Sequence, residues 1–546
     1  MSEMKRCYVF AIGGTGARVL EASVIQMAAG CGYEVFENWE VVPIIIDLDE
    51  ENGNTSQTRR LLQNYVEVHS ILNESMGISN FFKTQVKRLK DVSKAAESDS
   101  FTMKINLTNK PDLRSMVDYD GLGADGDLTS TQNLVDLLFT REELNMSLQH
   151  GFKGKPNIGS VVFGQLAEKE NGDYKNKDFG AFVHGFKEGD RVFVMGSIFG
   201  GTGAAGIPWL IKEIRNNKDN EALKEANIGL LSVMPYFSVS HNPQSKIDSN
   251  DFILKTKSAL QYYHYNLKEP NSIFYIADSN DHMEHTNVEG GANQKNTPHI
   301  VEFLAATSLT KFLSVSNEVN KADDPIALRY GVSARESKVL YLDDFDPKSP
   351  TYQWINTPLT KFYLAHLLIL KVFKLSNNIS WKFNTRIIEK VGGNFLKSQM
   401  DESFFKHSFY QSFERFIDHF NGYLDGLDGE GSDYRIFSPY LVNPSVGGNK
   451  LDDRHAISMN KIIRNADVSE GYHTIDKEKI KRLETTYWYS EKRIRWGEFV
   501  SLVNEQIRTV NRLVHEDANK QKAIRLDELL YLSSSQFLAK YKLFNN

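Results

Sequence analysis

The chain has 546 residues, of which 41% are hydrophobic and 25% charged, a balance typical of a globular protein and long enough for two or three domains. Its formal net charge of −6 argues against a surface that coats nucleic acid, so no clear nucleic-acid binding is expected, with a local basic patch as the alternative. Only two cysteines, Cys7 and Cys31, are present, which suggests a reducing compartment and excludes a cysteine-rich metal site.

The N-terminal segment, MSEMKRCYVFAIGG, lacks the layout of a signal peptide. No apolar run approaches the roughly 20 residues needed to span a bilayer. The longest candidate, residues 362–372, is interrupted by His366 and predicts a buried helix. We therefore expect a cytoplasmic protein without a membrane span.

A first strand–loop–helix unit is predicted close to the N-terminus. Residues 7–12 (CYVFAI) form an apolar strand, and residues 17–28 have the apolar spacing of a helix. Between them lie four loop residues that suit the approach of a phosphate to the backbone: Gly13, Gly14, Thr15 and Gly16. Taken alone, this loop fits a dinucleotide-binding fold as readily as any other nucleotide site.

A second buried strand, residues 41–46 (VVPIII), ends in acidic residues. A carboxylate at the end of the second strand of such a fold commonly meets a ribose hydroxyl or, through water, a metal ion. Asp47 and Asp49 are therefore candidate ligand residues. The alternative is that both carboxylates only solvate the end of the strand.

The glycine-rich stretch at residues 192–210, VFVMGSIFGGTGAAGIPWL, predicts a phosphate-binding turn. A buried strand runs directly into Gly200, Gly201, Thr202 and Gly203 and then into a helix. Unpaired N–H groups and the positive end of the helix dipole favour an anion at such a helix start. A tight turn without a ligand is the alternative.

The remaining pattern alternates strands and helices up to residue 277. Residues 53–150 form an insertion, residues 228–234 and 272–277 predict strands, and residues 248–266 and 299–315 predict helices. This alternation predicts an open, mostly parallel sheet with helices on both faces. Beyond it, residues 363–375, 404–427 and 482–514 predict helices, and residues 339–342 (VLYL) a strand.

Several of these elements, in this order, resemble the tubulin/FtsZ superfamily of polymerising GTPases, and the chain is similar to its divergent bacterial members. The resemblance covers roughly residues 5–325. It is carried by AIGGTGAR at the first loop, GKPNIGS at residues 154–160, GDRVFVMGSIFGGTGAAGIP at 189–208, VMPYF at 233–237, FYIADSN at 274–280 and the long helix after Pro298. The fold that it implies is α/β, with a tubulin/FtsZ-like nucleotide-binding domain whose mostly parallel sheet is flanked by helices, a long central helix and a largely helical C-terminal domain.

The resemblance also implies domain boundaries and roles for residues. The nucleotide-binding domain is expected at residues 1–297, the central helix at 298–316 and the second domain at 317–546. The first loop then contacts the α- and β-phosphates of GTP or GDP, and the loop at residues 200–203 binds the β/γ region with help from Gly154 and Asn157. Asn280 reaches the purine, and Glu302 accepts hydrogen bonds from the guanine N1–H and 2-amino groups. Phe303 is either a stacking partner of the base or an ordinary core residue, and Mg²⁺ is a candidate companion ion.

Hydrolysis in the family depends on an acidic loop that enters the nucleotide site of the next subunit. The matching stretch here, residues 317–324 (NEVNKADD), lacks the spacing of the family motif. Asp323 and Asp324 are the candidate catalytic residues, since either carboxylate suits the orientation of a water molecule. The alternative is a helix end with solvated acids.

These observations predict a GTP-binding protein that assembles into filaments, in which an acidic loop of the adjacent subunit completes the site for GTP hydrolysis. The alternative is a non-hydrolysing, nucleotide-dependent scaffold within a larger bacterial complex, for example in defence or plasmid maintenance. A third hypothesis, an NAD-dependent oxidoreductase, is opposed by the second phosphate loop. Residues 487–496 (YWYSEKRIRW) mix aromatic and basic side chains and mark the C-terminal helical region as a candidate surface for protein partners.

Overall fold

The structure is a computed structural model that describes residues 4–49, 51–74, 77–107, 110–123, 130–148, 151–152, 154–241, 249–278, 284–286, 291–315, 350–369, 402–427 and 492–541. Its strands are β1 (Lys5–Ile12), β2 (Trp39–Ile46), β3 (Gln85–Val86), β4 (Lys169–Glu170), β5 (Asp173–Tyr174), β6 (Arg191–Ser197), β7 (Asn227–Val233), β8 (Ser238–Val239), β9 (Ser272–Ile276) and β10 (Glu284–His285).

Helices follow most of the strands. Up to residue 315 they are α1 (Gly13–Ala28), α2 (Tyr33–Phe36), α3 (Gly53–Leu72), α4 (Leu89–Val92), α5 (Leu113–Met116), α6 (Ser130–Leu138), α7 (Arg141–Leu144), α8 (Pro156–Phe163), α9 (Lys177–Gly185), α10 (Gly201–Arg215), α11 (Glu221–Lys224), α12 (Ser249–Asn266) and α13 (Ile300–Ser314). Beyond residue 349 they are α14 (Pro350–Ile369), α15 (Glu402–Lys406), α16 (Ser408–Leu427), α17 (Lys492–Val510) and α18 (Ala518–Tyr541). Single 3₁₀ turns lie at Gly121–Gly123 and Gly164–Ala167.

Six strands form one parallel sheet in the order β3-β2-β1-β6-β7-β9. Counted along the chain within this sheet, the order is 3-2-1-4-5-6, which is the doubly wound order of Rossmann-like domains. Strands β1, β2, β6 and β7 are apolar and almost wholly buried, as expected for parallel strands covered on both faces. The sheet confirms the predicted α/β class and fits a Rossmann-like domain, but it is not specific to tubulin-like proteins.

Strands β1 and β6 lie side by side at the centre of the sheet. The strand order reverses between them, because β2 and β3 follow β1 towards one edge and β7 and β9 follow β6 towards the other. Tyr8 of β1 stands opposite Val42 of β2 on one side and opposite Val192 of β6 on the other. In open sheets of this order, ligands bind in the crevice outside the carboxyl ends of the strands, where the order reverses. The loops that follow β1 and β6 are the two predicted phosphate loops.

The chain divides into two units, each built from segments that are separate in the sequence. The first comprises Met1–Ser23, Asn38–Leu62 and Gln85–Ala327, and the second comprises Val24–Glu37, Gln63–Thr84 and Leu328–Asn546. This division differs from the expected boundaries, because two early segments pack with the C-terminal helices and α13 belongs to the first unit. Aromatic packing explains the difference, since the rings of Phe81 and Phe362 lie 5.1 Å apart and those of Phe82 and Phe416 lie 4.9 Å apart.

Most predicted elements are present, with changed limits. The helix expected at 404–427 is α15 followed by α16. The start of the expected insertion is the 20-residue helix α3. The strand predicted at residues 339–342 lies outside the described residues.

Gly16 is required where α1 rests on the sheet. A Cβ at this position would lie 2.6 Å from the carbonyl oxygen of Met195 and 2.9 Å from the carbonyl carbon of Ala11, both of them backbone atoms that cannot move aside. We therefore expect Gly16→Ala to lower the free energy of unfolding of the first unit by about 1–3 kcal/mol or more. Urea unfolding followed by circular dichroism measures this change.

Gly164→Ala is the matched control, because Gly164 has a right-handed helical backbone, is exposed and has no atom within 4 Å of its would-be Cβ. We expect this variant to change the free energy of unfolding by less than about 1 kcal/mol. Equal effects of the two substitutions would contradict the assignment of Gly16 to helix–sheet packing.

Candidate functional site

A cleft opens at the carboxyl edge of the central strands, within the first unit. Its empty space is about 1070 Å³, including the part open to solvent. The lining residues are Gly13, Gly14, Thr15, Arg18, Asp47, Asp49, Asn52, Asn54, Gly151, Phe152, Gly154, Ser197, Phe199, Gly200, Gly201, Thr202, Gly203, Phe237, Val239, Phe252, Lys255, Thr286, Gln294 and Asn296.

The two predicted phosphate loops meet in this cleft. Helix α1 begins at Gly13 and helix α10 at Gly201, so both helix N-termini face the same space. A Cβ on Gly13 would lie 3.2 Å from Cβ of Thr202, which shows how closely the loops approach each other. Gly200, the N-cap of α10, has no side chain to satisfy the first N–H groups of that helix. The loops therefore offer two sets of backbone donors to one anion.

The glycines of the two loops have different structural roles. Gly13 has a φ of +73°, in the left-handed region that residues with a side chain rarely adopt. Gly16 does not line the cleft, in contrast to its predicted role, because it packs against the sheet.

Gly203, in the second loop, lines the cleft and also packs closely, since its Cβ would lie 2.3 Å from the carbonyl oxygen of Ser197. A Cβ on Gly201 would lie 3.0 Å from the backbone nitrogen of Gly154, so a substitution there shifts a neighbouring loop as well as obstructing a ligand.

The loop before α8 supplies part of the cleft. Gly151, Phe152 and Gly154 line it, as predicted for Gly154. Asn157 does not, because α8 begins at Pro156 and leaves Asn157 exposed in its first turn. Proline is favoured at the first helical position, so the helix starts before Asn157.

The carboxylates of Asp47 and Asp49 both lie in the cleft and are nearly buried. Burial raises the pKa of Asp47 to about 7; the backbone amide of Asp49 opposes this rise, and the charge of Asp49 adds to it. Asp49 accepts hydrogen bonds from the backbone N–H of Gly291 (2.6 Å) and of Glu51 (3.2 Å). Asp47 is thus the carboxylate with more capacity for a ligand, while Asp49 anchors a loop.

Four amide side chains form a wall that sequence reasoning missed: Asn52, Asn54, Gln294 and Asn296. Asn52 donates to the side-chain oxygen of Gln294, and Asn54 accepts from the backbone N–H of Asn296 at 3.0 Å. These bonds attach the segment before α13 to the start of α3. The run Asn-Gly-Asn directly after the acidic strand end was the available signal, since such residues favour turns that bind the backbone.

Two cations in the cleft were also missed. Lys255 of α12 is half-buried, and its ammonium lies 2.7 Å from where a Cβ on Gly154 would stand. Nothing in the sequence distinguishes it from Lys257, the other lysine of that amphipathic helix. Arg18 of α1 is only 4% exposed. Its position directly after the first loop was a signal that could have been used.

Glu302 and Phe303 do not line the cleft, in contrast to their predicted roles. Glu302 is fully buried and accepts hydrogen bonds from Arg18, from the hydroxyl of Tyr236 and, at 3.2 Å, from the backbone N–H of His299. The last bond belongs to a capping box at the start of α13. Phe303 is a buried core side chain. Asn280, Asp323 and Asp324 lie outside the described residues.

No protein-family model matches the chain, and no curated protein and no solved structure matches it. Within the described residues, no helix is both long and apolar enough to cross a membrane. The same part of the chain contains no group of three or more His, Cys, Asp or Glu side chains arranged to hold a metal ion. The geometry of the cleft is therefore what points to a function.

The raised pKa of Asp47 makes stability depend on pH. Between about pH 4 and pH 7 the folded protein retains a proton that the unfolded chain has released, so the contribution of Asp47 to stability falls as the pH rises through this window. As the pH rises through this window, we expect Asp47→Asn to gain stability relative to the parent protein by up to about 1.4 kcal/mol for each pH unit. Urea unfolding of both proteins at intervals from pH 5 to pH 8 measures the difference, and parallel pH profiles would contradict it.

Proposed function

We propose that this protein binds a nucleoside triphosphate in the cleft, with the phosphates held between the loops after β1 and β6. The observation that carries the proposal is the convergence of two helix N-termini, at Gly13 and Gly201, on one cleft at the point where the strand order reverses. Backbone N–H groups and helix dipoles stabilise spread negative charge without moving side chains. Either loop alone would be weak support.

The charged side chains of the cleft suit a triphosphate with a divalent cation. The ammonium of Lys255 adds a positive charge beside the loop at Gly154. Asp47 offers a carboxylate near the same space. Because Mg²⁺ is usually held by one or two carboxylates together with substrate phosphates, Asp47 and the nucleotide form a suitable ligand set for it.

In its finer form, the proposal is a tubulin/FtsZ-like protein that binds GTP or GDP and assembles into filaments. The support is the ordered set of sequence motifs, two of which are the loops that converge here. Hydrolysis then depends on Asp323 or Asp324 entering the cleft of an adjacent subunit. The alternative is a scaffold protein that does not hydrolyse the nucleotide and whose conformation depends on nucleotide binding. A cytoplasmic location suits both forms of the proposal.

Lys255→Met tests the site itself. We expect the dissociation constant for a triphosphate to rise by about 10- to 100-fold, because a charge-assisted hydrogen bond to phosphate is lost. The fold should be retained, since this side chain is only half-buried. Fluorescence titration with a labelled GTP, competed by GTP, ATP and NAD, measures the affinities.

Lys257→Met is the matched control, because Lys257 is an exposed lysine of the same helix that does not line the cleft. Its affinity should stay within about twofold of the parent protein. Binding of NAD in preference to any triphosphate would instead support a dinucleotide-binding protein. Absence of binding by every nucleotide would reject the proposed function.

Sedimentation separates the two finer forms. A filament-forming GTPase should pellet with GTP and with a non-hydrolysable analogue but not with GDP, and electron microscopy should show polymers in the pellet. The double substitution Asp323→Ala with Asp324→Ala should then lower turnover by at least about 100-fold. Tight binding of GTP without turnover or pelleting would favour the scaffold.

A further inference from the structure

One charged side chain in the cleft is held too firmly to be a general phosphate ligand. Arg18 is almost completely buried, and its Nε donates to Glu302 while its Nη2 donates to the hydroxyl of Tyr236 at 2.5 Å. Tyr236 in turn donates to Glu302, which closes a three-membered network. Arg18 nevertheless lines the cleft. Its Nη1 makes no hydrogen bond among the described residues, so this edge of the guanidinium is available to a ligand.

The charge of this network argues for a neutral ligand group at Arg18. Burial acts to lower the pKa of Arg18, but the charge of Glu302 and the hydrogen bonds to Glu302 and Tyr236 outweigh it and hold the pKa above its ordinary value. Arg18 therefore stays charged, and Glu302 balances that charge at hydrogen-bond distance. A balanced ion pair attracts a phosphate less than the helix N-termini do, and less than the ammonium of Lys255, whose nearest carboxylate, that of Asp251, lies 4.0 Å away. The remaining N–H donors of Arg18 instead suit the hydrogen-bond acceptors of a nucleotide base.

Aromatic side chains beside Arg18 provide a surface for that base. Its guanidinium carbon lies 5.8 Å from the ring centroid of Phe237. The ring of Phe199 lies 5.7 Å from that of Phe237 and 4.9 Å from that of Phe252, and all three rings line the cleft. Arg18 is four residues after Gly14, one helical turn beyond the phosphate loop. The cleft thus has a phosphate end and an adjoining end of aromatic rings and a guanidinium.

We infer that Arg18 selects the base of the bound nucleotide, an inference that rests on the proposed nucleotide site. The selected base is a purine with hydrogen-bond acceptors at both O6 and N7, as in guanine. A guanidinium pairs well with these two acceptors, whereas adenine presents a donor at N6 beside N7. Glu302 and Tyr236 are positioning residues that orient Arg18. Glu302 does not contact the base, because its side chain is fully buried and does not line the cleft.

Nucleotide analogues test this inference on the unmodified full chain. If Arg18 reads O6 and N7, ITP, which lacks the 2-amino group, binds within about threefold of GTP. ATP binds about 10- to 100-fold more weakly than GTP, and 7-deaza-GTP, which lacks N7, also loses affinity. If Glu302 reads the base instead, ITP loses affinity and 7-deaza-GTP equals GTP, which overturns the inference. Absence of binding by all four triphosphates rejects the nucleotide site itself, a separate result.

Arg18→Lys tests the residue directly while keeping the charge that Glu302 needs. We expect the preference for GTP over ATP to fall by about 10- to 100-fold, while the affinity for ATP stays within about threefold because the phosphate contacts remain. Tyr236→Phe should reduce the same preference by a smaller factor. If Arg18 had only a structural role, its substitution would lower the affinities for GTP and ATP by the same factor. That result would overturn the inference.

Arg191→Lys is the matched control for a buried arginine. Arg191 donates to the backbone carbonyl oxygens of Phe312 and Val315 and does not line the cleft. Its substitution should leave the ratio of GTP to ATP affinity unchanged even where stability falls. If Arg18→Lys does not fold, the analogue series on the unmodified chain still decides the question.

Discussion

The close seating of two helices on the centre of a parallel sheet is the constraint on which the cleft depends. Helix α1 rests on backbone atoms of β1 and β6 at Gly16, and helix α10 rests on the backbone of Ser197 at Gly203. Neither position has room for a Cβ. Because both helices approach this closely, their first turns meet at Gly13 and Thr202. Gly16 therefore brings a helix onto the sheet without lining the cleft, whereas Gly203 does both.

The sequence was sufficient for the sheet and its two central loops. Apolar strands followed by glycine and a helix have few structural solutions, and the doubly wound order brings such loops to one edge. The sequence was insufficient for Arg18, Lys255 and the wall of amides. Which lysine of α12 reaches the cleft depends on how that helix packs, and local pattern does not specify helix orientation. Long-range pairs such as Asn52 with Gln294 are likewise invisible to periodicity.

Glu302 illustrates a more general limit of transferring roles from a resemblance. The position was assigned as an acceptor for the base, and the residue type fits that role. In the structure an arginine from α1 reaches the same carboxylate. A buried carboxylate is strongly stabilised by a guanidinium and costly to leave unpaired, so the partner decides what the acid can do. Chemistry at such a position belongs to the pair and cannot be assigned to either residue alone.

The attachment of residues 291–296 to the end of β2 also bears on how the protein is made. The bonds from Asp49 to Gly291 and from Asn54 to Asn296 each join residues 242 positions apart in the chain. Contacts of such sequence separation form late, because a long loop has to close first. On the ribosome, β1, β2 and both glycine loops emerge before the segment that completes the wall of the cleft. A nascent chain shorter than 291 residues thus presents the phosphate end without its enclosing wall, and a ligand can stabilise the finished site only after that segment has docked.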